Sequence, residues 1–226
     1  MVISASERER RRRRPAGSLD GADEHLRSVD HVLRRLIDER GPIDPAQDRR
    51  GSRPDAFIAL VRAIVGQQLS TKAARSIWAK VLERFDGEEP TPSELLGVRA
   101  DRLRRAGLSR AKVAYLRDLA RRVESGELDL ARLPEFADED IVAELTEIKG
   151  IGRWTAEMFL MFHLGRPDVI STGDLGLRRA IQIEYGLDEL PGPTDFERIA
   201  EPWRPHRTLG CLYLWRSLDA APELVP

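Results

Sequence analysis

One cysteine, Cys211, stands in a chain of 226 residues. That excludes an intramolecular disulfide and any four-cysteine metal or iron–sulfur site, and it makes a reducing cytoplasm the simplest setting. Aromatic residues are scarce, at 6%, so each tryptophan has to be placed individually. No apolar run approaches the roughly 18 residues that a membrane span needs. Met1 to Ser18 contains no apolar core of the kind a secretory signal requires. The net charge of −1 singles out no partner. Alternation of strand period is missing as well.

What is present reads as soluble and globular, with 41% hydrophobic and 33% charged residues. The length suits one large domain or two small ones. Charge is unevenly spread. Residues 1–14 hold six arginines, Arg8 and Arg10 to Arg14, and two acids, Glu7 and Glu9, a net of +4 against −5 for the rest. Residues 1–18 are expected to form a basic, solvated, disordered tail, with a nonspecific phosphate-binding arm as the alternative. Residues 19–226 form the folded domain.

Helical period runs through nearly every segment of that domain. Leu26, Val29, Val32, Leu33 and Leu36 make one stripe on a helix from about Ala22 to Glu39, which Gly41-Pro42 ends. Residues 43–54 read as a loop. Phe57, Leu60, Val61, Ile64 and Val65 share the face of a second helix, and Ser70 caps a third from about Thr71 to Phe85. Short helices near 93–97 and 99–106 lead to a longer one capped by Ser109 and stopped by Gly126. Residues 138–149 and 153–164, Leu175 to Tyr185, and the closing "RTLGCLYLWRSLD" complete an all-α domain of two packed helical lobes.

The segment "LTEIKGIGRWTAEMF", Leu145 to Phe159, breaks one helix with Gly150-Ile151-Gly152 and restarts another at once. Glycines permit positive φ and remove Cβ bulk from a tight crossing. The second helix opens on unpaired N–H groups at Gly152 to Thr155, which with the helix dipole favour an anion such as a phosphate. A plain helix–helix corner accounts for the same turn.

The longer stretch "LTEIKGIGRWTAEMFLMFHLGRPDVISTGDLGLRRA" resembles the helix–hairpin–helix–Gly/Pro–Asp signature of DNA glycosylases, through Leu145, Gly150, Ile151, Gly152, Thr155, Ala156 and Asp174. "AIVGQQLSTKAARSIWAKV", "LRRAGLSRAKVAYLRDLA" and "WRPHRTLGCLYLWR" are similar to blocks of the alkylpurine branch, 3-methyladenine DNA glycosylase II. Four blocks in order span about residues 22–218. The sequence departs from that pattern in three respects. Lys149 stands where many relatives have Pro. There is no room for the extra N-terminal β domain that some relatives carry. Met158, Leu175 and His206 occupy places where the resemblance leads one to expect Tyr or Trp in some relatives.

The resemblance implies a helix–hairpin–helix DNA glycosylase fold and a monofunctional enzyme that flips alkylated purines out of duplex DNA and initiates base excision repair. Asp174, taken alone an ordinary helix N-cap, becomes the catalytic carboxylate. Breaking an N-glycosidic bond builds positive charge on the sugar, which a fixed negative charge stabilises, and the same group can orient or deprotonate water. At the position of Trp154, relatives that also cut the strand carry a Lys nucleophile; an indole cannot attack. Trp154 offers instead a π face to a cationic base, or packs as a core Trp.

Met158, Leu175, Trp203 and His206 complete the expected base pocket, with His206 the one placed group weighed as a general acid. Buried structural packing for Trp203 and a surface position for His206 are the alternatives. Pro205 suits the start of the last helix, and Tyr213 and Trp215 read as core. Gly150, Ile151, Gly152, Arg153 and Thr155 form the expected DNA contact. Gln67 and Gln68 contact a base or backbone, or serve as helix-end polar residues. The loop 47–53 supplies a wedge for the gap left by the flipped base, with Arg50 its candidate and a solvated loop arginine its alternative. The backbone carbonyls of Thr146, Ile148 and Gly150 are the expected ligands of a monovalent cation at the hairpin when DNA is bound; no other cofactor is required. The expected partner is double-stranded DNA with damaged bases, bound by a monomer in a bacterial-type cytoplasm. A noncatalytic helix–hairpin–helix module is the rival function. It explains the turn and the tail but neither Asp174 nor Trp154. An iron–sulfur lyase fails on cysteine count and on the missing hairpin Lys.

Overall fold

The computed structural model describes residues 21–43 and 55–218, and every regular element among them is helical. These residues divide into two compact units, one of residues 55–159 and one of residues 21–43 with 160–218. The basic tail and Arg50 lie outside the described residues.

The second unit opens with helices α1 (Ala22–Val29) and α2 (His31–Arg40), where periodicity alone predicts one helix. Asp30 breaks it, with extended φ of −142°. Its Oδ1 accepts the Val32 and Leu33 amides at 2.9 and 3.0 Å, and its Oδ2 accepts Tyr185 Oη at 2.6 Å and Trp203 Nε1 at 2.8 Å. Four donors on one buried carboxylate outweigh local helix continuity. Val29, expected on the core stripe, is 38% exposed as a result. Gly41 ends α2 with positive φ, as expected.

In the first unit, α3 (Ala56–Gly66) and α4 (Thr71–Leu82) pack together, capped by Asp55 and Ser70. A 3₁₀ turn (Glu83–Phe85) prolongs α4. α5 (Pro92–Gly97) begins with a reciprocal Thr91–Glu94 capping box and packs on α7 (Arg110–Glu124). α6 (Ala100–Arg105) leads into α7, whose Ser109 Oγ accepts the Lys112 amide. α8 (Asp138–Thr146) and α9 (Arg153–Met158) flank the Gly150 turn, and α9 runs into a π-helical segment, Phe159–Leu164. Leu60, Val61, Ile64 and Val65 of α3, Leu116 and Leu119 of α7 and Leu145 of α8 form the core. Each such side chain contributes about 1.5–3 kcal/mol by burial.

The second unit continues with α10 (Leu175–Glu184), α11 (Pro193–Ala200) and α12 (Arg207–Ser217). α11 is not among the expected helices. α12 is buried on all sides from Thr208 to Trp215, as a helix at the centre of a lobe must be, and packs on α2 and α10. It starts at Arg207 after a cis Arg204–Pro205 bond, so Pro205 precedes the helix and does not occupy its first turn. Among the described residues no helix is long and apolar enough to cross a membrane.

Candidate active site and nucleic-acid interface

The two glycines of the Gly150-Ile151-Gly152 turn do different work. Gly150 has φ +83°, and a Cβ there would fall inside the Tyr115 ring. Gly152 has φ −97° and would place a Cβ in open space. The expectation of unusual backbone or a tight crossing therefore holds for Gly150 alone. Ile151, 4% exposed, folds back into the core, and its amide donates to Ile148 O at 3.0 Å.

A face of α7 braces this turn through residues spaced by three. Asp118 Oδ2 accepts the Lys149 amide at 3.0 Å. Burial alone would raise the Asp118 carboxyl, but the Lys149 amide and the Arg122 guanidinium bring it below the usual range. Tyr115 lies under Gly150. Lys112 Nζ donates to Val65 O at 2.8 Å and Gln67 O at 2.7 Å, a cation on the last carbonyls of α3. Burial pushes its ammonium pKa down. Gln67 then closes the frame, its Nε2 donating to Gly150 O at 2.7 Å. Gln67 is the C-cap of α3, in keeping with the helix-end polar role, and its partner is a carbonyl of the protein itself. Gln68 is exposed with φ +58°, a strained conformation for a non-glycine residue.

Gln67, Gln68, Lys112, Gly150, Gly152 and Trp154 line one concavity of about 450 Å³. Trp154 is 42% exposed there, which disfavours the core alternative. Thr155 also borders it but is 6% exposed. Arg153 is committed elsewhere. Its guanidinium meets Glu139 at 2.7 Å and Glu157 at 3.1 Å, and the Glu139 hydrogen bond raises its pKa. A phosphate would have to draw it from those carboxylates. Of the three carbonyls expected at a cation, Ile148 O and Gly150 O each already accept one hydrogen bond. A carbonyl has two lone pairs, so each of these two oxygens can take a further ligand beside its hydrogen bond.

In the other unit, Asp174 is 9% exposed and caps α10, its Oδ1 accepting the Leu177 amide at 2.7 Å. The same oxygen accepts Trp215 Nε1 at 3.1 Å. Sequence reasoning placed Trp215 in the core, where it is, but missed this bond; an indole N–H needs a buried acceptor, and that requirement was the available signal. Leu175, next to Asp174, is 66% exposed.

Three expected pocket residues are buried. Met158, 1% exposed, is a core residue of the first unit. Trp203, fully buried, is spent on Asp30 and on an edge contact with Phe196. His206, expected either to line the pocket or to sit on the surface, is 9% exposed and T-stacked on His25 at 5.5 Å. Burial, then His25, lower its pKa, and Asp168 only partly offsets them. That shift disfavours the charged, proton-donating form of the ring.

The family model "HhH-GPD superfamily base excision DNA repair protein" matches residues 61–205. DNA-3-methyladenine glycosylase 1 of Schizosaccharomyces pombe is 32% identical over 211 residues, 92% of each chain. The crystal structure of a Bacillus halodurans DNA-3-methyladenine glycosidase is 39% identical with a TM-score of 0.78, over 89% of this chain and 91% of that one. The S. pombe 3-methyladenine DNA glycosylase in complex with abasic DNA superposes with a TM-score of 0.79 at 32% identity, over 88% and 97% of the two chains. With the braced hairpin and the capping aspartate in the family's order, the chain belongs to the HhH-GPD superfamily of base excision DNA repair proteins, in its alkylpurine branch.

Proposed function

We propose that this chain is a monofunctional DNA glycosylase that extrudes an alkylated purine from duplex DNA and hydrolyses its N-glycosidic bond, the first step of base excision repair. The observation that carries the proposal is Asp174, a nine-tenths buried carboxylate that accepts the Leu177 amide and the Trp215 indole N–H at the family's acidic position. As the C1′–N bond breaks, positive charge on the sugar faces a fixed negative charge in a water-poor setting. A water molecule then forms the C1′–O bond and loses a proton, with Asp174 as the acceptor. The bonding electrons leave with the purine, and a cationic alkylpurine departs neutral.

Trp154 holds no amine, so no covalent enzyme–DNA adduct forms and the product is an intact abasic strand. Its exposed indole is suited to stack a cationic base, an interaction of about 0.5–2 kcal/mol. Relatives named for 3-methyladenine are consistent with such a substrate. The turn amides at Gly152 to Thr155 are proposed to hold a phosphate. The carbonyls of Thr146, Ile148 and Gly150 would hold a monovalent ion there, supplying positive charge beside the strand. We propose that the protein acts as a monomer on damaged double-stranded DNA in the cytoplasm.

The test is base release from alkylated duplex DNA. Asp174→Asn removes charge and little volume, and is expected to abolish release while duplex affinity stays largely intact. A wild-type single-turnover rate in that variant would return the noncatalytic module to the lead.

A further inference from the structure

The N-cap bond from the Leu177 amide ties Asp174 to its own helix, and a capping carboxylate held by that bond alone can still tilt about its side-chain torsions. Here a second donor arrives from a different element. Trp215 lies in the last turn of α12, 1% exposed. Its ring stacks on Phe162, centroids 5.8 Å apart and planes 29° from parallel. That contact sets the indole plane and so the direction of its single N–H. The N–H reaches Asp174 Oδ1 at 3.1 Å, the oxygen that also takes the Leu177 amide at 2.7 Å. Two donors from two helices on one oxygen fix the plane of the carboxylate.

Gly176 is what lets them meet. It lies in the first turn of α10, where its φ is outside the left-handed region. Glycine is a poor helix residue, and alanine would serve the helix better. Backbone geometry therefore gives no reason for glycine at this position; clearance does. A Cβ at 176 would stand 3.1 Å from Asp174 Oδ1 and 3.6 Å from Trp215 Nε1. The carboxylate would have to move by a few tenths of an ångström.

We infer that Trp215 and Gly176 are positioning residues for base release: Trp215 orients the Asp174 carboxylate by donating to Oδ1, and Gly176 leaves the space in which that bond forms. The inference rests on the reading of Asp174 as the reacting carboxylate. Each residue acts by holding a charge where the sugar cation develops, and displacement of such a group by a fraction of an ångström costs rate more than affinity.

The experiment uses the full chain and three variants, Trp215→Phe, Gly176→Ala and Asp174→Asn. Single-turnover base release is measured on duplex containing 7-methylguanine, affinity on duplex containing a tetrahydrofuran abasic analogue, and Tm alongside. Trp215→Phe keeps an aromatic ring for the Phe162 stack but loses the donor and the volume of the pyrrole ring. Its release rate is expected to fall about tenfold, with affinity within about twofold. Gly176→Ala should lose rate by a similar factor while its Tm is unchanged or higher, an outcome that a merely structural role would not produce. If Gly176→Ala and a folded Trp215→Phe both release base at the wild-type rate while Asp174→Asn is inactive, the positioning role is wrong and the catalytic assignment stands. If Asp174→Asn is as fast as wild type, the catalytic assignment itself fails. Should Trp215→Phe not fold, Gly176→Ala decides alone.

Discussion

Replacing Gly150 by alanine probes whether the hairpin is held in one shape. Two costs can be worked out. At φ +83° an L-residue is strained by about 1–2 kcal/mol. The new methyl would also fall inside the Tyr115 ring. Overpacking costs about 1–3 kcal/mol when neighbours cannot yield, but Tyr115 is only partly buried, so its share is put at about 1–2 kcal/mol. The sum is about 2–4 kcal/mol, out of the roughly 5–15 kcal/mol that a folded protein has in hand. Gly152→Ala is the control. With φ −97° and open space around its Cβ, it should stay within about 0.5 kcal/mol of wild type. The assay is urea unfolding of both variants, each repeated in a Tyr115→Ala background. There the clash is absent and the Gly150→Ala penalty should drop to about 1–2 kcal/mol, a coupling that a double-mutant cycle reads directly. Equal costs at the two glycines, or an undiminished Gly150 penalty without the ring, would refute this account of the turn.

Other expectations follow from the same geometry. Gly152→Asp adds a negative side chain at an exposed helix start, so it should fold normally yet bind every duplex more weakly whatever its sequence; unchanged affinity would make the hairpin a mere corner. Borohydride added during turnover should trap nothing, because Trp154 is no nucleophile; a trapped adduct contradicts the hydrolytic assignment. His206 titrates below its usual pKa in the fold, because burial and His25 outweigh Asp168. Below about pH 6.5 the unfolded chain therefore binds the proton more readily, and stability falls as pH drops from there towards the folded-state pKa. His206→Gln should flatten that part of the curve of unfolding midpoint against pH, and an unaltered slope would show that His206 does not set it.

Helices with a clear apolar stripe and a capping residue were legible in the sequence: α3 with its five core positions, α4 after Ser70, and α7 between Ser109 and Gly126. Where the expectation failed, a distant residue decided the outcome. The break at Asp30 depends on donors from Tyr185 and Trp203, more than 150 positions away, and no local pattern announces them. α11 is only eight residues long, and its buried pair, Phe196 and Ala200, is too short a stripe to stand out. The tryptophans show the limit for sites. Trp154 and Trp203 were both read as pocket candidates with a core alternative, yet one is 42% exposed and the other fully buried. Residue type and order do not separate the two; the partner does, since Asp30 claims the Trp203 N–H. Gln67 was legible as a helix-end polar residue, but its acceptor, Gly150 O, lies 83 positions along the chain.

The charges of the described groups bear on which bases this chain should release. Glycosidic bond breaking has two demands: the sugar must tolerate positive charge, and the base must leave with the bonding electrons. On the proposed reading Asp174 answers the first. The second needs a proton on the base or a positive charge already there. His206, the group expected as an acid, has its charged form disfavoured by burial and by His25. An N3- or N7-alkylated purine carries its own charge and needs no donor, whereas hypoxanthine and other neutral bases do. Trp154 adds to the same bias, because an exposed indole face favours a cation over a neutral ring of equal size. Met158, which as a flexible wall would have admitted bases of varied shape, is sealed in the core instead. On the proposed function, a duplex carrying cationic 7-methylguanine should therefore be cleared faster than one carrying neutral hypoxanthine, and equal single-turnover rates would refute selection by the charge of the lesion.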